Sequence, residues 1–250
     1  MTRLFWCSAF AFIGGCDLFE EVKDTYDGLT DPLVVQSVIV GVEIDAVDPA
    51  IVDELDFEAG VAGTVFLADA KSANDLDNAP IAGASVSINS ASLFDTGEGA
   101  YTLEPGVLTY ANGATWTLNA MIGTEASSAT FVLPPPPNAT IPTLHVKGQG
   151  MTVSLAGQGF DVIVGVVAEV ATGEVTWSNE PEDISDIYNL ATGNGDESLE
   201  IPGEAFPNSG AYVVGVSGLT TSRAEQLENM NTALSNVASG KMRLYPVAIP

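Results

Sequence analysis

The chain has 250 residues, of which 33 are acidic and 7 are basic, so its formal net charge is −26. This charge repels phosphate backbones and anionic lipid headgroups, which argues against a nucleic-acid partner. Charged residues nevertheless make up only 16% of the chain and apolar residues 46%. The composition therefore excludes a disordered acidic tail and is typical of a protein with ordinary hydrophobic cores.

The first fifteen residues have the pattern of a secretory signal peptide. Arg3 is the only charge before Asp17, and an apolar segment runs from Leu4 to Ile13. A helix that stays in a bilayer needs ~20 apolar residues, so this segment is too short to be a membrane span. A basic start, an apolar centre and small residues at the end predict an export signal over residues 1–15.

The end of that segment, Ile13-Gly14-Gly15-Cys16, resembles the lipobox of bacterial lipoproteins. The resemblance implies that a diacylglycerol is attached to Cys16 and that the signal peptide is cut just before it. It also implies an exported protein held on the cell envelope of a bacterium by a membrane lipid anchor, at the periplasmic face or the cell surface. The alternative is an ordinary signal peptide in which Cys16 is incidental. Cys7, the second of the two cysteines, lies in the part to be removed, so no disulfide is expected.

Residues 16–33 form the predicted lipidated cysteine and acidic tether, because they are acidic and lack sustained periodicity. From Leu33 the pattern changes to a two-residue alternation that predicts a strand. One face of this strand should carry Val34, Val38, Val40, Val42 and Ile44.

Short runs rich in β-forming residues continue to residue 133, separated by glycine, asparagine and aspartate. Asn112-Gly113 predicts a tight turn, and the segment "TWTLNAMI" alternates with Trp116, Leu118, Ala120 and Ile122 pointing inward. This spacing of short strands predicts an antiparallel β-sandwich over residues 34–133.

Three of these runs, "GTVFLADA", "APIAGASVSI" and "DTGEGAYTL", resemble the carboxypeptidase-regulatory-like family. The resemblance implies a transthyretin-type β-sandwich. The residues that carry it are Gly63, Pro80, Gly83, Ala84, Val86, Asp95, Gly99 and Tyr101.

Four consecutive prolines, Pro134 to Pro137, predict a stiff linker over residues 134–142, since a polyproline segment is extended at ~3.1 Å per residue. The alternative is a surface loop within one large sandwich.

Residues 143–250 repeat the β pattern and predict a second sandwich. One buried face should carry Val162, Val164, Val166, Ala168 and Val170, with a hairpin turn at Thr172-Gly173. The segment "PNSGAYVVGVSGL" resembles the tyrosine-corner strand of immunoglobulin and fibronectin sandwiches, which implies an immunoglobulin-like domain in which the Tyr212 hydroxyl bonds back to the chain.

One or two short helices are predicted in this second sandwich. One begins near Glu180 and carries Ile184, Ile187 and Tyr188. The other follows the Ser222–Glu225 capping box, with Leu227, Met230, Leu234 and Val237 on one face and an end near Gly240. The predicted fold class is therefore all-β, with two antiparallel β-sandwich domains joined by a proline-rich linker.

The sequence argues against an enzyme. His145 is the only histidine, and apolar Leu144 and Val146 alternate around it, which predicts an exposed imidazole on a strand. Serine hydrolysis normally needs a histidine base, and a Gly-x-Ser-x-Gly elbow is absent. Acidic residues are so numerous that no pair of carboxylates stands out as a glycosidase pair.

Calcium is the one cofactor for which the sequence offers ligands, because calcium needs only oxygen donors. The candidates lie in the insertion between two strands of the first sandwich: Asp69, Asn74, Asp75, Asp77 and Asn78. The stretch matches no standard calcium loop, and a solvated polar loop is the alternative. The tryptophans Trp116 and Trp177 alternate with apolar residues and fit a core better than a glycan-binding platform.

Together these features predict a lipid-anchored exported protein that acts as a non-catalytic binding or structural module at the cell envelope. The alternative is a calcium-dependent adhesive or glycan-binding surface lipoprotein. The sequence names no protein or glycan partner.

Overall fold

The computed structural model describes residues 33–43, 60–104, 106–181, 187–189, 198–222 and 224–250. The predicted signal peptide, Cys16, nearly all of the tether and Ile44 lie outside these residues.

The described residues are mostly β-strand, which confirms the predicted all-β class. The strands are β1 Val34–Glu43, β2 Gly60–Ala68, β3 Ser85–Ile88, β4 Ala91–Ser92, β5 Phe94–Gly97, β6 Ala100–Leu103, β7 Thr115–Ile122, β8 Glu125–Val132, β9 Met151–Ser154, β10 Val162–Glu169, β11 Glu174–Ser178, β12 Ser198–Ile201, β13 Gly210–Thr221, β14 Leu227–Glu228 and β15 Asn236–Ile249. Short 3-10 helices cover Ala73–Asn78, Gly203–Ala205 and Ala224–Gln226. Residues 187–189 are helical, within the first of the two predicted helices.

The strands form three sheets. The large sheet has eight strands in the order β11-β10-β13-β15-β1-β2-β6-β5. A five-stranded sheet has the order β14-β8-β7-β3-β4, and β12 pairs with β9 in a two-stranded sheet. Within the described part of the chain, all strand pairs are antiparallel except β1 with β15, which run parallel from Gln36 beside Asn236 to Glu43 beside Arg243.

Strand β1 lies at the centre of the large sheet and is buried on both faces. Its sequence, VVQSVIVGVE, is almost continuously apolar, as is typical of a strand covered on both sides. Val34, Val38, Val40 and Val42 share one face, as predicted, while Val35 and Ile39 point to the other.

The large sheet therefore contributes to three hydrophobic cores. Core 1 lies between its front face and the five-stranded sheet and includes Ile39, Tyr101, Leu118 and Phe131. Core 2 joins the other end of the same face to the two-stranded sheet and includes Val153, Leu199, Tyr212 and Val247. Core 3 covers the back face, with Val40, Val164 and Met242 among its members.

Strand β15 shows that cores 1 and 2 lie on one face. Val237 near its start belongs to core 1 and Val247 near its end belongs to core 2. Residues an even number apart in an uninterrupted strand point to the same side, and the pairing of β15 with β13 has no register shift.

The large sheet crosses the predicted domain boundary, which corrects the expectation of two separate sandwiches. Strands β1 and β2 come from the range 34–133, and β10, β13 and β15 come from the range 143–250. The parallel pairing of β1 with β15 joins the two ranges by main-chain hydrogen bonds. Residues 134–142 therefore cross one molecule and do not separate two independent sheets, in agreement with the single-sandwich alternative.

The helix predicted after Ser222 is wrong. A 3-10 turn at Ala224–Gln226 leads into the short strand β14, and β15 begins at Asn236. Met230 and Val237 are buried in core 1, whereas Leu234 is buried in core 3 on the opposite side of the large sheet. These apolar residues, whose spacing matches one face of a helix, therefore pack on two opposite faces of the large sheet.

Candidate functional site

The predicted lipidation site cannot be placed, because Cys16 lies outside the described residues. Among the residues that the structure does describe, no helix has the length and apolar character needed to span a bilayer.

The insertion predicted to bind calcium closes on itself through its own hydrogen bonds. The Asp69 amide donates to the Ala79 carbonyl at 2.9 Å. Inside the loop, the Ser72 hydroxyl donates to the Asp75 carboxylate at 2.6 Å, and the Asn78 side-chain amide donates to the Asn74 carbonyl at 3.4 Å. Leu76 points inward and belongs to core 3.

These bonds give the insertion a structural role. Asp75 is engaged with Ser72, and the described residues contain no group of three or more histidine, cysteine, aspartate or glutamate side chains placed to hold a metal ion. The side chain of Asp77 lies outside the described residues. Calcium binding through Asp69, Asn74, Asp75, Asp77 and Asn78 therefore stays a prediction.

The structure brings together the residues that resemble the carboxypeptidase-regulatory-like motif. The Asp95 carboxylate accepts the Gly83 amide at 2.7 Å and the Gly97 amide at 2.9 Å. The fully buried Tyr101 hydroxyl accepts the Ala84 amide at 2.9 Å and donates to the Ile81 carbonyl at 2.9 Å. Two strands and one turn are thereby held together by two side chains.

The electrostatics of this cluster suit a structural tyrosine. The pKa of Tyr101 is raised to about 12, chiefly by burial and to a smaller extent by the nearby Asp95 charge, against the opposing effect of the hydrogen bond with the Ala84 amide. A neutral phenol can both donate and accept a hydrogen bond, which is what its two backbone partners need.

Gly99 in the same motif has a steric explanation. Its φ is +73°, and a Cβ atom added there would lie 2.6 Å from the Leu67 carbonyl oxygen. The Leu67 amide in turn donates to the Gly99 carbonyl at 2.9 Å. Only glycine tolerates both the positive φ and this close approach of two backbones.

Tyr212 makes the tyrosine corner that its sequence context predicts. Its hydroxyl accepts the Asn208 amide at 3.0 Å and donates to the Asn208 carbonyl at 3.1 Å. The ring is fully buried in core 2 and meets Phe206 edge to face at 5.5 Å. Burial raises the pKa of the Tyr212 hydroxyl.

A polar cluster that the sequence did not predict lies between cores 1 and 2 on the front face. Arg243 binds the Glu43 carboxylate through Nε and Nη2, both at 3.3 Å, and Lys241 lies 3.9 Å from the same carboxylate. Arg243 and Tyr245 both donate to the Pro137 carbonyl, and Tyr110 donates to the Pro134 carbonyl at 2.7 Å. The proline segment is thus hydrogen-bonded at Pro134 to the loop between β6 and β7 and at Pro137 to strand β15 of the large sheet.

Two acidic side chains on or near the large sheet are shielded from solvent, Glu169 being buried and Glu180 half-buried. Glu169 accepts from Asn208 and Thr172 at the end of β10. Glu180 follows β11, and its Oε1 atom is buried without a hydrogen-bond partner. Burial raises the pKa of Glu180 to about 7, against the opposing effect of its hydrogen bond with Ser178.

The remaining sequence candidates are also placed. His145 packs against Phe206 with ring centroids 5.0 Å apart, and its Nε2 lies 2.8 Å from the Gln149 carbonyl. Leu144 and Val146 are exposed, so this segment points the opposite way from the prediction. Trp116 is buried in core 1, and Trp177 packs against core 2 while half-buried, as expected of core residues.

No family model matches the sequence, and no curated protein matches it either. Solved structures that align with the chain contain immunoglobulin domains. They include the N-terminal Ig1-2 module of the Drosophila receptor protein tyrosine phosphatase DLAR, at 13% identity over 85% of this chain and 97% of that chain, with a TM-score of 0.27. The titin domains z1z2, in complex with telethonin, align at 16% identity over 87% of this chain and 94% of that chain, with a TM-score of 0.22. TM-scores this low do not establish a shared fold. The β-sandwich architecture follows from the strand pairing and from the residues that form the cores.

Proposed function

We propose that this protein is an exported lipoprotein anchored through Cys16 and acts as a non-catalytic binding or structural module at a bacterial cell envelope. The observation that carries the anchor is Ile13-Gly14-Gly15-Cys16 placed directly after the short apolar segment. Two acyl chains hold a protein stably on a membrane, since each buried methylene contributes ~0.8 kcal/mol.

The non-catalytic role is supported by how the chemically capable side chains are used. Asp95, Tyr101 and Tyr212 bond to the backbone and hold turns and strands in place. Glu43 is paired with Arg243 in the polar cluster between two cores. These groups stabilise a scaffold, and they do not converge on a place where a substrate could react.

The proposal is tested by replacing the anchor residue. Cys16→Ser should move the protein from the membrane fraction to the soluble fraction, and mass spectrometry of the wild type should show an acylated cysteine at the N-terminus. Cys7→Ser is the matched control and should leave the acylation intact. A wild-type chain that still begins at Met1, or that carries a free Cys16 thiol, would contradict the proposal.

A further inference from the structure

The back face of the large sheet carries an apolar patch at the end where β15 finishes. Side chains of directly paired residues share a face of the sheet, and the pairing of β11, β10, β13 and β15 aligns two rows of apolar side chains there. We call these residues the end patch: Val175, Ala168, Val213 and Pro246 in the first row, and Val170, Ala211, Ala248 and Leu144 in the second.

The segment that carries Leu144 forms the outer edge of this patch. The His145 amide donates to the Ala248 carbonyl at 3.0 Å, and the His145 ring packs against Phe206 of core 2. Successive residues of an extended chain point to opposite sides. Leu144 and Val146 therefore point away from core 2, to the same side as the end patch, and Val146 extends it.

Most of the second row is open to solvent. Leu144 is 66% exposed and Val146 is 54% exposed, and Ala211 and Ala248 beside them are exposed as well. Val175, at the rim of the first row, is 39% exposed. The apolar surface thus continues from core 3 into solvent without a polar border between the two rows.

The other large exposed apolar side chains of the described residues do not form such a patch. Val107 lies in the loop between β6 and β7. The remaining ones each pair with a polar residue: Phe94 with Thr102, Met121 with Ser85, and Val132 with Thr115. Single exposed apolar residues are normal on a protein surface, whereas a contiguous patch marks a contact with another protein or a membrane.

The charge around the end patch favours a membrane. The patch is uncharged in a chain whose formal net charge is −26. The stretch from Ala126 to Phe160, which supplies Leu144 and Val146, contains no acidic residue, and Lys147 directly follows Val146. A bilayer with anionic lipids repels acidic surfaces. The side of the molecule with the end patch can therefore approach such a bilayer without this repulsion.

A second protein fits the end patch less well than a bilayer does. Four strands at ~4.8 Å and about five residues at ~3.3 Å give roughly 300 Å², whereas stable protein partners each bury about 800 Å². The patch also contains no tryptophan, tyrosine or arginine, the residues that dominate binding energy between proteins. A lipid-anchored body needs less area, because the anchor already holds the patch at a high effective concentration beside the bilayer.

The predicted tether is long enough for this contact. Gln36 lies beside Asn236 in the parallel pair of β1 and β15. The end of the tether at Leu33 and the end patch at Ala248 are therefore about fifteen residues apart along the strands, or ~50 Å. Residues 16–32 can span up to ~58 Å when fully extended.

We propose that the end patch docks on the surface of the bilayer that holds the lipid anchor and thereby sets the orientation of the folded body above that bilayer. This inference rests on the proposed anchor at Cys16 and adds a second contact with the same membrane. The occupant of the patch is lipid, and the contact needs no further protein.

The test measures membrane depth in the acylated protein, reconstituted in vesicles of phosphatidylethanolamine with a minor share of phosphatidylglycerol. Leu144→Cys carries an environment-sensitive NBD label, and nitroxide groups on the lipid acyl chains quench labels that reach them. The emission should shift to the blue on reconstitution. Quenching should be about twofold stronger than for a label at Phe94→Cys, or more, since an interfacial apolar surface lies ~5–10 Å into the headgroup boundary.

Phe94→Cys is the matched control, because Phe94 is 60% exposed and lies on β5 at the far edge of the large sheet. A second comparison places the label at Val175→Cys. Leu144→Asp with Val146→Asp should then reduce its quenching to the level of the control, whereas Phe94→Asp should leave it unchanged. The substituted side chains are exposed, and the melting temperature of each variant reports whether it is folded.

Equal quenching at Leu144→Cys and Phe94→Cys in the acylated, vesicle-bound protein would overturn the inference, as would quenching at Val175→Cys that survives both aspartates. A blue shift that grows with protein concentration in the absence of lipid would assign the end patch to a second copy of the chain and would also overturn it. A chain without acylation at Cys16 would refute the proposed function and this inference with it, so mass spectrometry distinguishes the two failures.

Discussion

Tyr101 and Tyr212 show how single residues hold this fold together. Each lies fully buried in its own core, and each hydroxyl binds one backbone amide and one backbone carbonyl. Both tyrosines could be identified from the sequence because each ends a Gly-x-Tyr tripeptide that follows a polar turn. Such a pattern involves only neighbouring residues of the chain.

Replacing either tyrosine with phenylalanine removes the hydroxyl but keeps the ring. Tyr101→Phe and Tyr212→Phe should each lower the free energy of unfolding by about 1–3 kcal/mol, because two backbone groups lose their hydrogen-bond partner. Urea denaturation measures this. Ser87→Ala, which removes a hydroxyl without a protein partner, is the near-neutral control. A tyrosine variant as stable as the wild type would contradict the structural role.

Glu180 is a half-buried acid whose charge should affect stability near neutral pH. Its pKa is raised from 4.5 to about 7 by burial, so the folded state keeps a proton that the unfolded state releases between those values. The contribution of Glu180 is therefore most favourable below pH 4.5 and declines as pH rises through about 7.

Glu180→Gln removes this titration. We compare the free energy of unfolding of the variant minus that of the wild type at two pH values. This difference should be more favourable to the variant at pH 8 than at pH 5, by about 1–3 kcal/mol. Urea denaturation at both pH values tests this, with the exposed Glu174→Gln as the control. A difference from the wild type that is the same at both pH values would contradict the burial of this carboxyl.

At the scale of single elements, alternation predicted the strands well where one face meets a core. The inward residues of β7 and the valines on one side of β10 lie as expected. The spacing after Ser222 could not be assigned in the same way, since residues three and four apart also match a chain that passes from one side of a sheet to the other. Asn229 has a φ of +55° in that segment, which interrupts any helix.

The Lys71–Asn78 insertion allows an element-scale test of the calcium prediction. Because Asp75 is bound by Ser72, we expect calcium and magnesium at equal ionic strength to raise the melting temperature by the same amount through general screening. Asp75→Asn with Asp77→Asn should not change that comparison. A calcium-selective rise that the double variant loses would instead establish the site, since ligand binding to the folded state alone raises its stability.

At the scale of the whole molecule, the sequence predicted the class of fold but not its connectivity. The pairing of β1 with β15 joins residues 200 positions apart, as in the hydrogen bond from Arg243 to Glu43. No local pattern encodes such a partner, and four prolines look like a spacer whether they bridge two domains or cross one sheet.

The continuous sheet makes the body one unit, with cores 1 and 2 sharing β15 and with core 3 spanning strands from both halves. If one half unfolded alone, the other half would expose the edge of β1 or β15 at which these two strands pair. It would also expose its part of the apolar back face. Unfolding of one half should therefore unfold the other.

Differential scanning calorimetry of the purified chain tests this account most directly. The continuous sheet predicts a single transition whose calorimetric and van't Hoff enthalpies agree, and cleavage within residues 134–142 should leave no fragment that melts cooperatively by itself. Two resolved transitions, or a fragment of residues 143–250 that keeps its own melting transition after cleavage, would contradict it.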